Sequence, residues 1–378
     1  MPEALRHQAL HTLSYALAVP PKDLPTIWPV TRKLVLLLAP QMEQAGHRYD
    51  WIPYLERTIL ICIEQQDLPM AAECHLQLGL LYRLLSEFQS AEAELSSSTA
   101  LFKQVDDKGG AARALNELAW LAHLQRHYGT AERYIKQALT LLADDDPERA
   151  MSYRVQGMLA TSQQQWQVAE KHHSLALALF QANGDQRRIA WGLQNLAYAY
   201  HQQGKYAQAL NLYSQAESIL RQQGDLYHLA IVLFNQGYCY ARCDEAQKAL
   251  NCYREAEQLF EKLNDKVHKA KLYTEIGLLA FAQAFYQVAE QTFRQSADLF
   301  SALDDEVWHI NALDGLAMTY LAQQKYKPVR AVLEQAQQLL AVIDRNEYYN
   351  ILCQSVQRHW EQLLRLEGEI DPIKVTGA

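Results

Sequence analysis

Residues 184–225 read GDQRRIAWGLQNLAYAYHQQGKYAQALNLYSQAESILRQQGD, and residues 226–265 begin the same pattern again as LYHLAIVLFNQGYCYARCDEAQKALNCYREAEQLFEKLND. The unit is forty residues long and holds two helical patterns. In the first copy Leu193, Leu196, Ala197 and Tyr200 fall at i, i+3, i+4 and i+7, and Ala209, Tyr213 and Ala216 at i, i+4 and i+7. Both spacings place side chains on one face of a helix. Outward from this stretch an Asp recurs at Asp67, Asp107, Asp145, Asp185, Asp225, Asp265 and Asp305. Twelve residues after each comes a small residue: Gly79, Ala119, Gly157, Ala197, Gly237, Gly277 and Ala317. Seven units in register define a repeat solenoid, in which stacked helix pairs replace a central core.

Each column has a physical task. An Asp accepts hydrogen bonds from the free N–H groups that open the next helix. Gly184, Gly224 and Asn264 precede it and are the types that most readily turn left-handed to end a helix. Ala91, Ala131, Ala169, Ala209, Ala249 and Ala289 mark where the two helices of a pair approach closely. Phe88, Tyr128, Trp166, Tyr206, Tyr286 and Tyr326 mark the turn between them, each plugging the end of its pair. One unit is two residues short, and the loss falls between Ala138 and Asp145, just before a helix start at Pro147.

Gly and Pro are sparse, at 15 and 11 of 378 residues, which leaves little for strands or long loops. The organisation expected is an N-terminal helix and Pro-rich lead-in over 1–30, a degenerate first helix pair over 31–66 and seven repeats over 67–346. A capping helix over 347–367 and a disordered tail over 368–378 follow. Pro20, Pro21, Pro25 and Pro29 are expected to interrupt helix up to residue 29. The net charge of −8 argues against a sequence-independent grip on nucleic acid or anionic membrane. The six cysteines form no CxxC pair and read as small buried hydrophobes in a reducing compartment. No run of eighteen apolar residues and no signal-peptide core are present, so a cytoplasmic protein without a membrane span is expected.

Catalytic signatures are missing. There is no phosphate loop ending in GKS or GKT, no GxSxG and no Cys/His nucleophile pair. His123 and His127 are spaced HxxxH without the glutamate or third ligand a metal needs, and His173 takes the position that Tyr213 and Tyr253 fill as packed rings. No enzyme, metal or cofactor is expected.

With these columns in place the chain resembles the tetratricopeptide repeat family. Leu196, Ala197, Tyr200, Gly204, Tyr206, Ala209, Tyr213 and Ala216 match its signature positions, and the resemblance runs over roughly residues 31–365. The forty-residue period is similar to the longer class in kinesin light chain and in the helical arms of bacterial signal-transducing NTPases of the STAND and NB-ARC types. Quorum-peptide receptors of bacilli also resemble it. The resemblance implies an all-α fold: an α-solenoid, a right-handed superhelix of seven to eight helix pairs with a terminal cap. It also implies a concave face, lined by first helices, that receives a peptide.

Positions −6, −3, +1 and +4 from the small residue of each first helix escape the packing columns and are expected to face that groove. The candidates are Arg83, Arg113, Asn116, Trp120, His123, Arg154, Trp191, Gln194, Tyr198, His201, Phe234, Tyr238, Lys271 and Phe281. A solvated face would be mostly Lys, Glu and Gln; large apolar and aromatic residues dominate instead, the mark of an interface. Arg113, Asn116 and Arg154 are expected to meet a carboxylate-bearing part of a ligand, and Phe234 and Tyr238 an apolar part. The function expected is a non-catalytic scaffold or adaptor for a protein or peptide. The alternatives are the sensing arm of a bacterial signalling regulator and, less favoured by charge, an RNA-binding helical repeat.

Overall fold

Each repeat folds as a pair of helices because its two apolar stripes bury only against each other and against the neighbouring pair. The computed structural model describes residues 3–20, 23–44, 46–343 and 347–368, and over these it holds eighteen helices and no strand. Three lead-in helices are α1 (Glu3–Leu17), α2 (Leu24–Gln44) and α3 (Arg48–Glu64). The first three repeats are α4 (Leu68–Leu84) with α5 (Phe88–Gln104), α6 (Lys108–Leu124) with α7 (Tyr128–Leu141), and α8 (Arg149–Ser162) with α9 (Trp166–Asn183). Next come α10 (Gln186–Gln202) with α11 (Tyr206–Gln223), and α12 (Leu226–Arg242) with α13 (Ala246–Lys262). The last two pairs are α14 (Lys266–Ala282) with α15 (Tyr286–Ala302) and α16 (Glu306–Ala322) with α17 (Tyr326–Leu340), followed by α18 (Glu347–Leu366). The tail expected after residue 367 lies outside the described residues, Gly368 excepted. Two compact units divide the chain, residues 1–235 and 236–378.

The Asp column caps as its chemistry requires. Asp67, Asp107, Asp185, Asp225, Asp265 and Asp305 each accept from the backbone N–H three residues on, at 2.8–3.2 Å. Asp145 does not. In the short unit Asp146 accepts from the Glu148 N–H at 2.9 Å instead, because the two missing residues and Pro147 move the start of α8 down the chain. Gly184, Gly224 and Asn264 take the left-handed conformation, with φ of 72°, 69° and 53°. A second left-handed position sits at each turn within a pair: Ser86, Arg126, Gln164, Gly204, Asp244, Ala284 and Gln324. The repeat therefore reverses twice with one device.

The lead-in differs from expectation. Helix α2 begins at Leu24 and runs through Pro29 and Pro40. Pro25 falls in the first turn, where the N–H is free anyway, and the ring at Pro29 removes only one bond from an otherwise well-packed helix. Packing decides: Leu24, Trp28, Val35, Leu38 and Met42 are buried on one face of α2.

The small columns are where helices touch. The Ala column from Ala91 to Ala289 is fully buried, as is Val329. A Cβ on Gly157 would lie 2.5 Å from the His173 ring, and one on Gly237 would lie 2.4 Å from the Tyr253 ring. The aromatic column opens the second helices, from Phe88 to Tyr326, half-buried rather than sealed. In the first unit α4 touches α6, α6 touches α8 and α8 touches α10. In the second unit α14 touches α16. No comparable contact joins successive second helices among the described residues. First helices are the closer-spaced layer, and so the inner one, in each unit. At the end of the second unit α18 lays Leu352, Val356 and Leu363 on α16 and α17, roughly 1.5–3 kcal/mol for each side chain fully buried.

Candidate functional site

The first helices of the unit spanning residues 1–235 carry a ladder of arginine and tryptophan. Arg154, on α8, stands 4.7 Å from the Trp120 ring of α6 and 5.3 Å from the Trp191 ring of α10. Trp120 also receives Arg83 at 5.8 Å, and Trp191 receives Arg187 at 4.7 Å. The stack follows from the repeat: +1 on one first helix, −3 on the next and −6 on the one after come level as successive helices stagger. Indole is the best of the aromatic faces for a cation, guanidinium stacks on it readily, and desolvation strengthens the pairing.

The cations differ in how they are balanced. Arg83 Nε donates to Glu117 at 3.2 Å, and Arg113 donates to Glu73 at 2.9 Å while lying over Phe102. Each is an ion pair between adjacent repeats, so neither faces an open groove with a free charge. Arg187 is held by Asp225 at 2.7 Å and by Glu43 at 2.8 Å, which keep it firmly charged in spite of burial. Arg154 has no carboxylate and no hydrogen-bonded partner among the described residues; burial lowers its guanidinium to about 10, still cationic at neutral pH.

Non-periodic contacts close this unit. Glu43, at the end of α2, reaches Arg187 at the start of α10. Arg48, at the start of α3, is buried, lies 4.9 Å from the Tyr227 ring and donates to the Leu84 carbonyl at 3.1 Å. The end of α2 and the start of α3 thus reach first helices that are several repeats apart. Sequence reasoning missed Arg187, Glu43, Arg48 and Tyr227, which fall outside the four groove positions. Only the Asp225 partner of Arg187, one repeat on, had a signal in the periodicity.

The remaining candidates sort by burial. Asn116 is sealed, its Oδ1 accepting from Ser152 Oγ at 2.8 Å. His201 is buried, and His123 is tucked against Trp120 and Tyr128, where burial lowers it to about 4. His123 is therefore a packed neutral ring. Gln194 Oε1 accepts from His228 Nδ1 at 3.0 Å, and burial beside Arg187 and Arg154 keeps His228 neutral. Tyr198 is 38% exposed and Phe234 is half-buried. In the second unit Tyr238 carries Arg242 at 5.0 Å, Lys271 stands 4.8 Å from Trp308, and Phe281 packs 5.5 Å from Tyr286.

These features define a class, the helix-pair solenoid with an aromatic, cationic inner layer. Residues 148–222 match the tetratricopeptide repeat family model, and the helix pairs before and after them repeat the same two-helix unit. No curated protein matches it. Among solved structures it is similar to a Rap protein complexed with Competence and Sporulation Factor, with 14% identity, 96% of this chain and 100% of that one covered and a TM-score of 0.58. It is also similar to NprR in complex with its cognate peptide NprX, with 14% identity, 80% and 85% covered and a TM-score of 0.56. A third is a STAND protein with a tetratricopeptide repeat sensor from Pyrococcus horikoshii, with 14% identity, 98% of this chain but 54% of that one covered and a TM-score of 0.54. No helix among the described residues is long and apolar enough to cross a membrane.

Proposed function

We propose that this chain is a non-catalytic scaffold that binds a peptide or an extended protein segment along the first helices of residues 1–235. The observation that carries the reading is the ladder of Trp120, Arg154 and Trp191, which stays half-buried at both indoles where core packing would seal them. The NprR structure, which holds its cognate peptide on the same fold, supports it. Trp120 and Trp191 are already half-buried, so a ligand that covers the rest gains roughly 2–3 kcal/mol from each at about 25 cal/mol per Å² before ordering costs, and the two anchor a peptide rather than supply all of its affinity. Retention of a random hexapeptide pool by the wild type, lost in the Trp120→Ala/Trp191→Ala variant, is the expected result. Equal retention by both proteins would sink the reading.

A second reading, a ligand-sensing arm, draws on the ties from Glu43 to Arg187 and from Arg48 to Tyr227. A ligand on Trp191 would press on the same arginine that holds the α2–α3 turn. Hydrogen exchange at residues 42–52 is then expected to change on peptide binding; unchanged exchange leaves the scaffold role alone.

A further inference from the structure

We propose that the exposed face of α3 is a contact for a second copy of this chain, α3 packing antiparallel on α3 of that copy beside Leu60. The inference is independent of the peptide-binding reading and uses a different layer of the fold. Helix α3 precedes α4 as each second helix precedes the next first helix, and its buried face holds Trp51, Leu55 and Cys62. The opposite face exposes Tyr49, Pro53, Leu60 and Ile63, and of these Tyr49, Leu60 and Ile63 are each more than half exposed. Helices α5, α7, α11 and α13 expose no large apolar side chain among the described residues; Glu92, Ser96 and Lys103 on α5 are typical. A single exposed Leu carries no meaning. An apolar ridge along one helix, where other repeats are polar at the same place, marks an interface.

The charges beside the ridge point to what covers it. Arg57 and Glu64 are both exposed and seven residues apart, so they lie on one edge of α3. Glu64 forms no hydrogen bond or ion pair among the described residues, whereas Asp50 is held by His47 at 3.2 Å. About a twofold axis, each edge of an antiparallel helix meets the same edge of its partner. An axis level with Leu60 therefore sets Arg57 against the partner's Glu64 and Glu64 against the partner's Arg57, with the two Leu60 side chains between them. An axis between Glu56 and Arg57 would set Arg57 against the partner's Arg57 and Glu64 against the partner's Asp50, so like charges exclude that register. The exposed face of α2 also shows Val30 and Leu37, but its charges are Arg32 and Lys33 with no acid, and two copies of it repel. A single helix face falls short of the roughly 800 Å² per partner of a standard interface, so association in the micromolar range is expected.

The test is sedimentation equilibrium of the full chain across roughly 1–300 μM, with circular dichroism to show that each variant is folded. The wild type is expected to pass from monomer to dimer over this range. Leu60→Gln/Ile63→Gln is expected to weaken the dimer by about 10-fold or more, and Arg57→Glu and Glu64→Arg by about 10-fold each. An equal mixture of the Arg57→Glu and Glu64→Arg chains is expected to recover wild-type association, because one copy then carries two acids on the edge and the other two arginines. Lys33→Glu, on α2, is expected to leave the dimer unchanged. If Arg57→Glu does not fold, the Leu60→Gln/Ile63→Gln chain alone decides. A chain that stays monomeric throughout, a dimer indifferent to Leu60→Gln/Ile63→Gln, or a mixture no tighter than its components overturns the contact.

Discussion

Gly237 shows how little room the repeat leaves. Its missing Cβ would fall 2.4 Å from the Tyr253 ring, and Tyr253 is itself buried. Neither a methyl group nor a tilt of the ring is accommodated without moving α13 against α12. Gly237→Ala is therefore expected to destabilise by about 1–3 kcal/mol, the usual cost of overpacking, read as a lower urea midpoint at an unchanged slope. The same residue scale shows what the sequence made legible. The small column could be read because its partner lies sixteen residues away within one repeat, so spacing alone places it. Arg83 and Arg113 could not be told from Arg154, since all three occupy groove positions. What separates them is a Glu one repeat away, Glu117 and Glu73, that happens to be in reach.

At the scale of the helix and its turns, the Asp column provides an internal control. Asp265 caps α14, whereas Asp145 caps nothing and Asp146 serves α8. Asp265→Ala is expected to cost about 1 kcal/mol, and Asp145→Ala nothing beyond the error of a chemical denaturation curve. An equal loss from both would show that charge, not the hydrogen bond, sets the effect. The left-handed corners offer the opposite change. Ala284 sits at φ 60° with a Cβ that this conformation disfavours by about 1–2 kcal/mol. Glycine removes that strain at an entropic cost of about 0.5–1 kcal/mol. Ala284→Gly is expected to raise stability by a few tenths to about 1 kcal/mol, and a fall in thermal midpoint would contradict the strain argument. These corners were half legible: Gly204 announced one, while Ser86, Arg126 and Ala284 take the same φ without the residue type that signals it. Helix α2 was illegible for a related reason, because Pro25 and Pro29 read as breakers until the buried face of Trp28, Val35 and Met42 is seen to outweigh them.

Across the whole molecule, titration separates the two units. In residues 1–235 burial lowers His123 to about 4 and His173 to about 3, and it holds His228 neutral. Unfolding frees these rings to protonate near their ordinary value of about 6.5. Between that value and their folded ones the unfolded state binds more protons, so stability rises with pH there and is lost as pH falls through 6.5 toward 4. At pH 5 each of His123 and His173 is expected to cost about 1–2 kcal/mol relative to pH 7. In residues 236–378 one buried acid on α14 carries the opposite sign. Burial raises Glu275 to about 7, with Arg242 offsetting only part of the penalty. Here the folded state holds the extra proton, so stability falls as pH climbs from about 4.5 to 7. Hydrogen exchange at pH 5 and pH 7, corrected for the intrinsic rate, is expected to show α6–α9 opening more at pH 5 and α14 more at pH 7. Glu275→Gln is expected to abolish the second trend and leave the first untouched. Parallel responses in both units would mean that a shared unfolding step, rather than locally buried rings and a locally buried acid, governs the chain.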